Sequence, residues 1–350
     1  MARTAITKQQ ANDFCREIVP AVSRTFALSI RLLPGELGAA VRCAYLICRI
    51  ADTLEDEPSL PAESKAALLE LLSRCYADAS ATAEFIEAIG RVTGDPAHVR
   101  LVRNADLVFA AFRNLPDRTR ELVERWTREM IAGMRKFVLA YPRGIRIQSL
   151  DEYKEYCYYV AGTVGYLLTD LWHEHSSSIG ASRYALLRER CRAFAEALQT
   201  VNILKDVARD AEHENSIYIP EQLLRAHGSE HATILAPDRA RQNGAALAAM
   251  TQLAWHDLEQ AKQYLLAVPR RAVSIRLFCA LPLLFAYATL RDLARSADAP
   301  GRREVVKISR SEVKSLTVLS VIGVLSNRAM ARLVERAKTK PLVLGKTGAG

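Results

Sequence analysis

The chain has 350 residues, 50% hydrophobic and 25% charged, an ordinary globular balance with enough apolar material for a substantial core. Lys and Arg total 48 against 39 Asp and Glu, a net +9 that suits an anionic surface or a polyphosphate ligand. The chain shows no zinc-type spacing, RNA-binding aromatic motif or arginine-rich block, so nucleic acid is not an expected partner.

The first segment, Met1 to Gln10, is polar and lacks the apolar core of a secretory signal. Beyond it, runs rich in Ala, Leu, Arg and Glu predict helices. They are punctuated at Pro34-Gly35, Gly94-Asp95-Pro96, Pro116, Pro142-Arg143-Gly144, Pro220, Pro237, Pro269 and Pro300-Gly301. Breaks this short predict consecutive helices packed as neighbours. The expectation is an all-α, single-domain bundle over residues 1–338, with a disordered tail over 339–350. Seven scattered cysteines with no C-x-x-C pair predict reduced, buried thiols in a cytoplasmic protein.

Within Leu37 to Glu57, an apolar stretch from Ala39 to Ala51 runs directly into Asp52-Thr53-Leu54-Glu55-Asp56. On a helix the i, i+3 and i+4 positions share a face, so Asp52, Glu55 and Asp56 converge. Three carboxylates on one face repel unless solvated or bridged by cations. Hard oxygen ligands of this kind suit Mg²⁺; an acidic helix end reaching water is the alternative.

Further along, Tyr156-Cys157-Tyr158-Tyr159-Val160-Ala161-Gly162-Thr163-Val164-Gly165-Tyr166 is an aromatic, apolar helical run. Each glycine inside a helix costs about 1 kcal/mol relative to alanine. Gly162 and Gly165 therefore predict close approach by another helix, or a smooth wall for an apolar ligand beside aromatic faces.

Gln199 to Asp210 places Asn202, Asp206 and Asp210 at successive i+4 steps, a second polar stripe on an apolar helix. It is either a surface stripe offset by Lys205 and Arg209, or half of a metal site. Two such clusters facing across a bundle cavity would hold Mg²⁺ ions and a diphosphate.

No segment offers about 18 consecutive apolar residues, so no membrane span is expected; the nearest approach is Leu316 to Leu325. There Val313, Leu316, Leu319, Ile322 and Leu325 recur every three positions, with Lys314, Arg328, Arg332, Arg336 and Lys338 nearby. The run is a last helix packed on the bundle, or a basic amphipathic helix in peripheral contact with an anionic membrane.

Together these segments resemble the squalene/phytoene synthase family, and its squalene synthases most closely. The likeness runs through Ser23-Arg24-Thr25-Phe26, Asp52 to Asp56, Tyr156 to Gly162 and Asn202 to Asp206. It continues through Tyr218-Ile219-Pro220, Arg276 to Pro282 and Val306 to Arg310, so it covers most of the chain in the family's order.

The resemblance implies an all-α isoprenoid synthase fold with a central cavity and Mg²⁺ held by both acidic motifs. Asp52, Glu55, Asp56, Asn202, Asp206 and Asp210 match the metal-binding positions. Ser23, Arg24, Tyr45 and Arg49 match positions that hold diphosphate, with Gly162 and Gly165 lining the substrate wall. Tyr156 matches the tyrosine assigned to ionisation and proton handling, although a tyrosine is a poor base without a cationic or diphosphate neighbour.

The resemblance also implies that two farnesyl diphosphates condense to presqualene diphosphate, which NADPH reduces to squalene. Arg24, Arg49, Lys205, Lys307 and Arg310 are the matching candidates for the cofactor phosphates. Two positions depart from the squalene synthase pattern: Arg209 replaces a usual glutamate, and Ser309 stands where arginine is frequent. Without reduction the product would be dehydrosqualene or presqualene diphosphate, and a phytoene synthase is a related alternative. Some relatives that lack the acidic motifs are assembly or scaffold proteins; both motifs are intact here. A monomer is expected.

Overall fold

The computed structural model describes residues 6–90, 92–296 and 306–342, without the side chains of Arg24 and Ser296. The expected Pro300-Gly301 break and most of the expected tail lie outside the described residues. The expected all-helical character is observed. Among the described residues the β structure is one isolated parallel bridge, Arg146 to Ile217.

Helix starts follow from local chemistry. Pro34, Pro61, Pro116 and Pro220 each sit just before a first helical residue, with an extended backbone that a helix interior does not allow. Asp95 caps the helix that begins at Pro96, its carboxylate accepting from Ala97 N at 2.8 Å. Thr7 and Gln10 form a reciprocal capping box at the Lys8–Val22 helix.

The chain divides into two compact units, the first comprising residues 1–145, 158–175 and 213–215. Its spine is the Gly35–Glu55 helix, which buries Leu37, Val41, Leu46, Ile47, Ile50 and Leu54. The Ala105–Arg113 and Asp117–Ala140 helices pack against it. Tyr76 meets Phe109 and Phe112 edge to face, and its hydroxyl bonds that of Thr127. Trp126 stacks on Tyr166 with centroids 4.9 Å apart, and its Nε1–H donates to buried Asp170 at 2.8 Å. Trp172 is fully buried nearby in the Thr163–His175 helix of the same unit.

One irregularity interrupts the expected aromatic helix. Residues Tyr158–Gly162 form a π turn between the Leu150–Cys157 and Thr163–His175 helices. Such turns concentrate at functional segments.

The second unit comprises residues 146–157, 176–212 and 216–350. At its centre lies the Val273–Ser296 helix, packed by the Ala240–Ala267, Arg310–Gly323 and Asn327–Thr339 helices. Two buried arginines tie these together. Arg276 donates to Val268 O at 2.6 Å and to Asn327. Arg291 grips Glu312 in a fork of 2.8 and 3.0 Å bonds and also reaches Ala337 O at 2.9 Å. Trp255, on the Ala240–Ala267 helix, lies against Tyr287.

This central helix corrects the sequence reading of apolar runs. Val273–Arg295 is by length and composition apolar enough to cross a membrane. Arg276 and Arg291 break its apolar run and hid it from a search for consecutive apolar residues. Most of its apolar window is buried in the protein, as in a core helix.

A second correction concerns the Arg310–Gly323 helix. The expected stripe of Val313, Leu316, Leu319, Ile322 and Leu325 is not one face: Leu316 is fully buried, while Val313 and Leu319 are half-buried. A period of three drifts around a helix of 3.6 residues per turn, so that spacing cannot hold one face over twelve positions.

All seven cysteines are buried and outside any disulfide, as the sequence predicts.

Candidate active site

Asp52 and Glu55 form the last turn of the Gly35–Glu55 helix, and Asp56 is its C-cap, with its N–H bonded to Asp52 O at 2.9 Å. The expected i, i+3, i+4 grouping is therefore realised. Helix C-termini carry negative dipole ends, so three carboxylates here compound an already unfavourable field.

Burial and mutual repulsion shape the titration of this cluster. Desolvation raises the Asp52 carboxyl, with Arg49 and His98 opposing the shift. Glu55 is pushed up to about 8, first by burial and then by Asp52, with Lys65 opposing and Glu214 adding to the rise. Asp56 is raised well above the usual carboxylate range by burial, then by Glu214, Glu55 and Asp52. The site thus favours protons, or cations, over bare negative charge.

Arg49 lies one turn before the cluster. Its Nη1 sits 3.4 Å from Asp52 Oδ2, and its Nη2 donates to the Tyr45 hydroxyl at 3.4 Å. Burial pulls the guanidinium pKa down, but Asp52 and Tyr45 outweigh it, so the charge is retained. Within this cluster, two buried atoms have no hydrogen-bond partner among the described residues: Arg49 Nε and Glu55 Oε1. An orphaned carboxylate oxygen in a residue only 7% exposed is a costly arrangement without a cation.

Among the described residues no group of three or more His, Cys, Asp or Glu side chains forms a ready-made metal cage. Mg²⁺ does not need one, because it is commonly held by one or two carboxylates plus substrate phosphates and water. The donor set of Asp52, Glu55 and Asp56 fits that mode.

Glu214 is a residue the sequence reading missed. It belongs to the same unit as Asp56 and acts on both Asp56 and Glu55 electrostatically. Its position is fixed next door. Asn215 adopts φ 48°, and its side-chain amide donates to Arg143 O at 2.5 Å. Gly144, at φ 103°, lets this segment approach: a Cβ there would fall 1.8 Å from Asn215 O. Helical spacing could not have found it, because the Cys191–His213 helix ends just before Glu214.

In the second unit, the Cys191–His213 helix carries the other stripe, with Asn202 exposed, Asp206 half-buried and Asp210 buried. Each carboxylate has a cation beside it in sequence: Lys205 Nζ lies 3.1 Å from Asp206, and Arg209 Nη2 lies 3.3 Å from Asp210. Lys205 is thus engaged with a carboxylate. Tyr156 is buried and stacked on Tyr218 with centroids 4.9 Å apart.

Of the remaining expected residues, Ser23 caps the Arg24–Ile30 helix, its hydroxyl accepting from Phe26 N at 3.2 Å. The Arg24 side chain lies outside the described residues. Gly162 and Gly165 are buried in the first unit. A further glycine, which the sequence reading did not single out, also lies against this aromatic segment. A Cβ on Gly133 would fall 2.0 Å from Tyr159 Cγ, so only glycine lets that ring lie against the Asp117–Ala140 helix. Tyr158, beside it, donates its hydroxyl to Glu129. Lys307 and Arg310 are exposed; Ser309 is the N-cap of the Arg310–Gly323 helix, accepting from Glu312 N at 3.1 Å.

Comparison with known proteins gives the family of the chain. The squalene/phytoene synthase family model matches residues 19–312. The chain belongs to that family. It is 29% identical over 284 residues to squalene synthase 1 of Arabidopsis thaliana, covering 79% of this chain and 64% of that protein. The chain thus spans a little under two thirds of the length of that curated relative.

Among solved structures, a ligand complex of TcSQS superimposes with a TM-score of 0.80 at 24% identity, covering 93% of this chain and 89% of the other. A dehydrosqualene synthase in complex with a ligand gives 0.59 at 22% identity, covering 95% and 96%. The fold is that of the all-α isoprenoid synthases.

Proposed function

We propose that this chain is a Mg²⁺-dependent prenyltransferase that joins two farnesyl diphosphates head to head. The observation that carries the reading is the acidic end of the Gly35–Glu55 helix, where Asp52 lies 3.4 Å from Arg49 and a buried Glu55 oxygen has no hydrogen-bond partner among the described residues. Asp52, Glu55 and Asp56 are the proposed metal ligands in one unit; Asn202, Asp206 and Asp210 are those in the other. Glu214 is a further carboxylate for the first group.

Bound Mg²⁺ would neutralise the diphosphate as it leaves. The chain's own groups do the rest. Arg49 and Tyr45 supply donors for phosphate oxygens, and Arg49 Nε has no hydrogen-bond partner among the described residues. Tyr156 is proposed to accept or relay a proton when the first product forms. The bonds balance: one farnesyl diphosphate loses diphosphate, the cation adds to the second, and loss of a proton closes the cyclopropane of presqualene diphosphate. Aromatic side chains face cationic intermediates favourably, and an apolar wall keeps out the water that would quench them.

Reduction to squalene by NADPH is proposed from the resemblance of Val306 to Arg310, with Lys307 and Arg310 as its phosphate-binding side chains. The second reading, a synthase that stops at an unreduced product such as dehydrosqualene, is favoured by Ser309. Its hydroxyl caps a helix at a position where an arginine would reach the cofactor.

Incubating the protein with farnesyl diphosphate and Mg²⁺, with and without NADPH, and identifying the extracted lipid by mass tests both. Squalene formed only with NADPH supports the first reading. Dehydrosqualene in both arms supports the second, and a C40 product made only from geranylgeranyl diphosphate, or no turnover at all, refutes the farnesyl assignment.

A further inference from the structure

The Arg310–Gly323 helix is amphipathic the wrong way round. Its buried face consists of Glu312, Ser315, Leu316, Ser320 and Gly323, mostly polar or small. Its outer face carries Val318, Val321, Ile322 and, in the following turn, Leu325, which are 39%, 53%, 76% and 63% exposed. These four positions follow i, i+3, i+4, i+7 spacing, the pattern of a helix face that is normally buried.

The inner face is stable because its polar groups are satisfied. Glu312 is held by Arg291, and the Ser315 and Ser320 hydroxyls donate to Ser311 O and Leu316 O. Gly323 lies in ordinary contact range of Ala329 and Met330. Nothing in the packing of the described residues therefore requires an aliphatic outer face, and Ile322 and Leu325 are the most exposed large hydrophobic side chains among them.

The surroundings select the occupant. Lys314 lies one turn before Val318, and Arg328 and Arg332 follow Leu325; all three are exposed. From Val313 to Val334 there is no acidic residue. A two-fold contact with a second copy would bring these cations against their own images. Four aliphatic side chains also make far too small a face for the roughly 800 Å² per partner that a stable dimer buries.

We propose that this face docks on an anionic lipid bilayer, with Val318, Val321, Ile322 and Leu325 entering the headgroup boundary and Lys314, Arg328 and Arg332 meeting lipid phosphates. The inference rests on surface chemistry alone and stands whatever reaction the chain performs.

The test is co-flotation of the full chain with vesicles of phosphatidylcholine containing about 30% phosphatidylglycerol, and with pure phosphatidylcholine vesicles. The wild type is expected to float with the anionic vesicles, less so at high salt. Ile322→Asp/Leu325→Asp is expected to reduce the bound fraction roughly tenfold or more, and Lys314→Glu/Arg328→Glu to act in the same direction. Because these positions are exposed, circular dichroism of both variants should match the wild type. Wild-type protein that stays in the soluble fraction, or an Ile322→Asp/Leu325→Asp variant that floats equally well, overturns the proposal. So does a concentration-dependent dimer that the same variant abolishes while vesicles capture nothing.

Discussion

At Glu55 the fold holds a proton that the unfolded chain would release. Its carboxyl rises from 4.5 to about 8, with burial as the leading cause. Between those values the folded state binds more protons than the unfolded one. The associated stability is therefore complete below about pH 4.5 and lost as the pH rises through 8. In EDTA the melting temperature should fall between pH 5 and 8. Glu55→Gln should flatten that slope, and Mg²⁺ should raise the wild-type melting temperature most at the alkaline end. An unchanged slope in Glu55→Gln would assign the pH dependence to other groups. For turnover, Asp52→Ala or Asp206→Ala should each lower the rate at least about 100-fold, as loss of a metal ligand does, while the helical circular dichroism stays intact. Near-normal rates would remove that residue from the metal assignment. Asp52, Glu55 and Asp56 were legible because their spacing and helical period match. Glu214 escaped because it follows the end of the Cys191–His213 helix, where periodicity stops applying.

Helices were legible wherever proline or a capping side chain marked their start, as at Pro34, Asp95 and Pro116. Their interior irregularities were not. The π turn at Tyr158–Gly162 adds a residue without any turn signal, and the Tyr156 to Tyr166 run reads as one unbroken helix. Gly133 also looked unremarkable, because what it accommodates is Tyr159, a ring 26 positions away. Gly133→Ala should force that ring to move and cost about 1–3 kcal/mol, as overpacking does, read as a lower melting temperature. Gly180→Ala is the control, since a Cβ there meets nothing within 4 Å. Equal stability of the two variants would mean that the Tyr159 contact is easily relieved. The outer face of the Arg310–Gly323 helix misled the sequence reading for a related reason: a repeat of three resembles a helical stripe only over short stretches.

Over the whole chain, the all-α class could be read from composition and punctuation, and the family from motifs spread over most of its length. The division into two units could not, because no long linker marks it: of the five places where the chain passes between them, those at residues 157–158 and 212–213 lie inside regular structure. Within the second unit, the Arg291–Glu312 pair is the main polar lock, each partner about 3% exposed. Arg291→Met should destabilise by about 3–5 kcal/mol by stranding a buried carboxylate, and adding Glu312→Leu should recover much of that. A double variant as unstable as the single one would show that the bond from Arg291 to Ala337 O matters more than the ion pair.

The placement of the three tryptophans makes the two units separately visible. Trp126 and Trp172 belong to one and Trp255 to the other. A Trp255→Phe protein reports by intrinsic fluorescence on the first alone, and a Trp126→Phe/Trp172→Phe protein on the second. Urea titrations of the pair, overlaid, would reveal whether the chain melts as one cooperative body or in two steps.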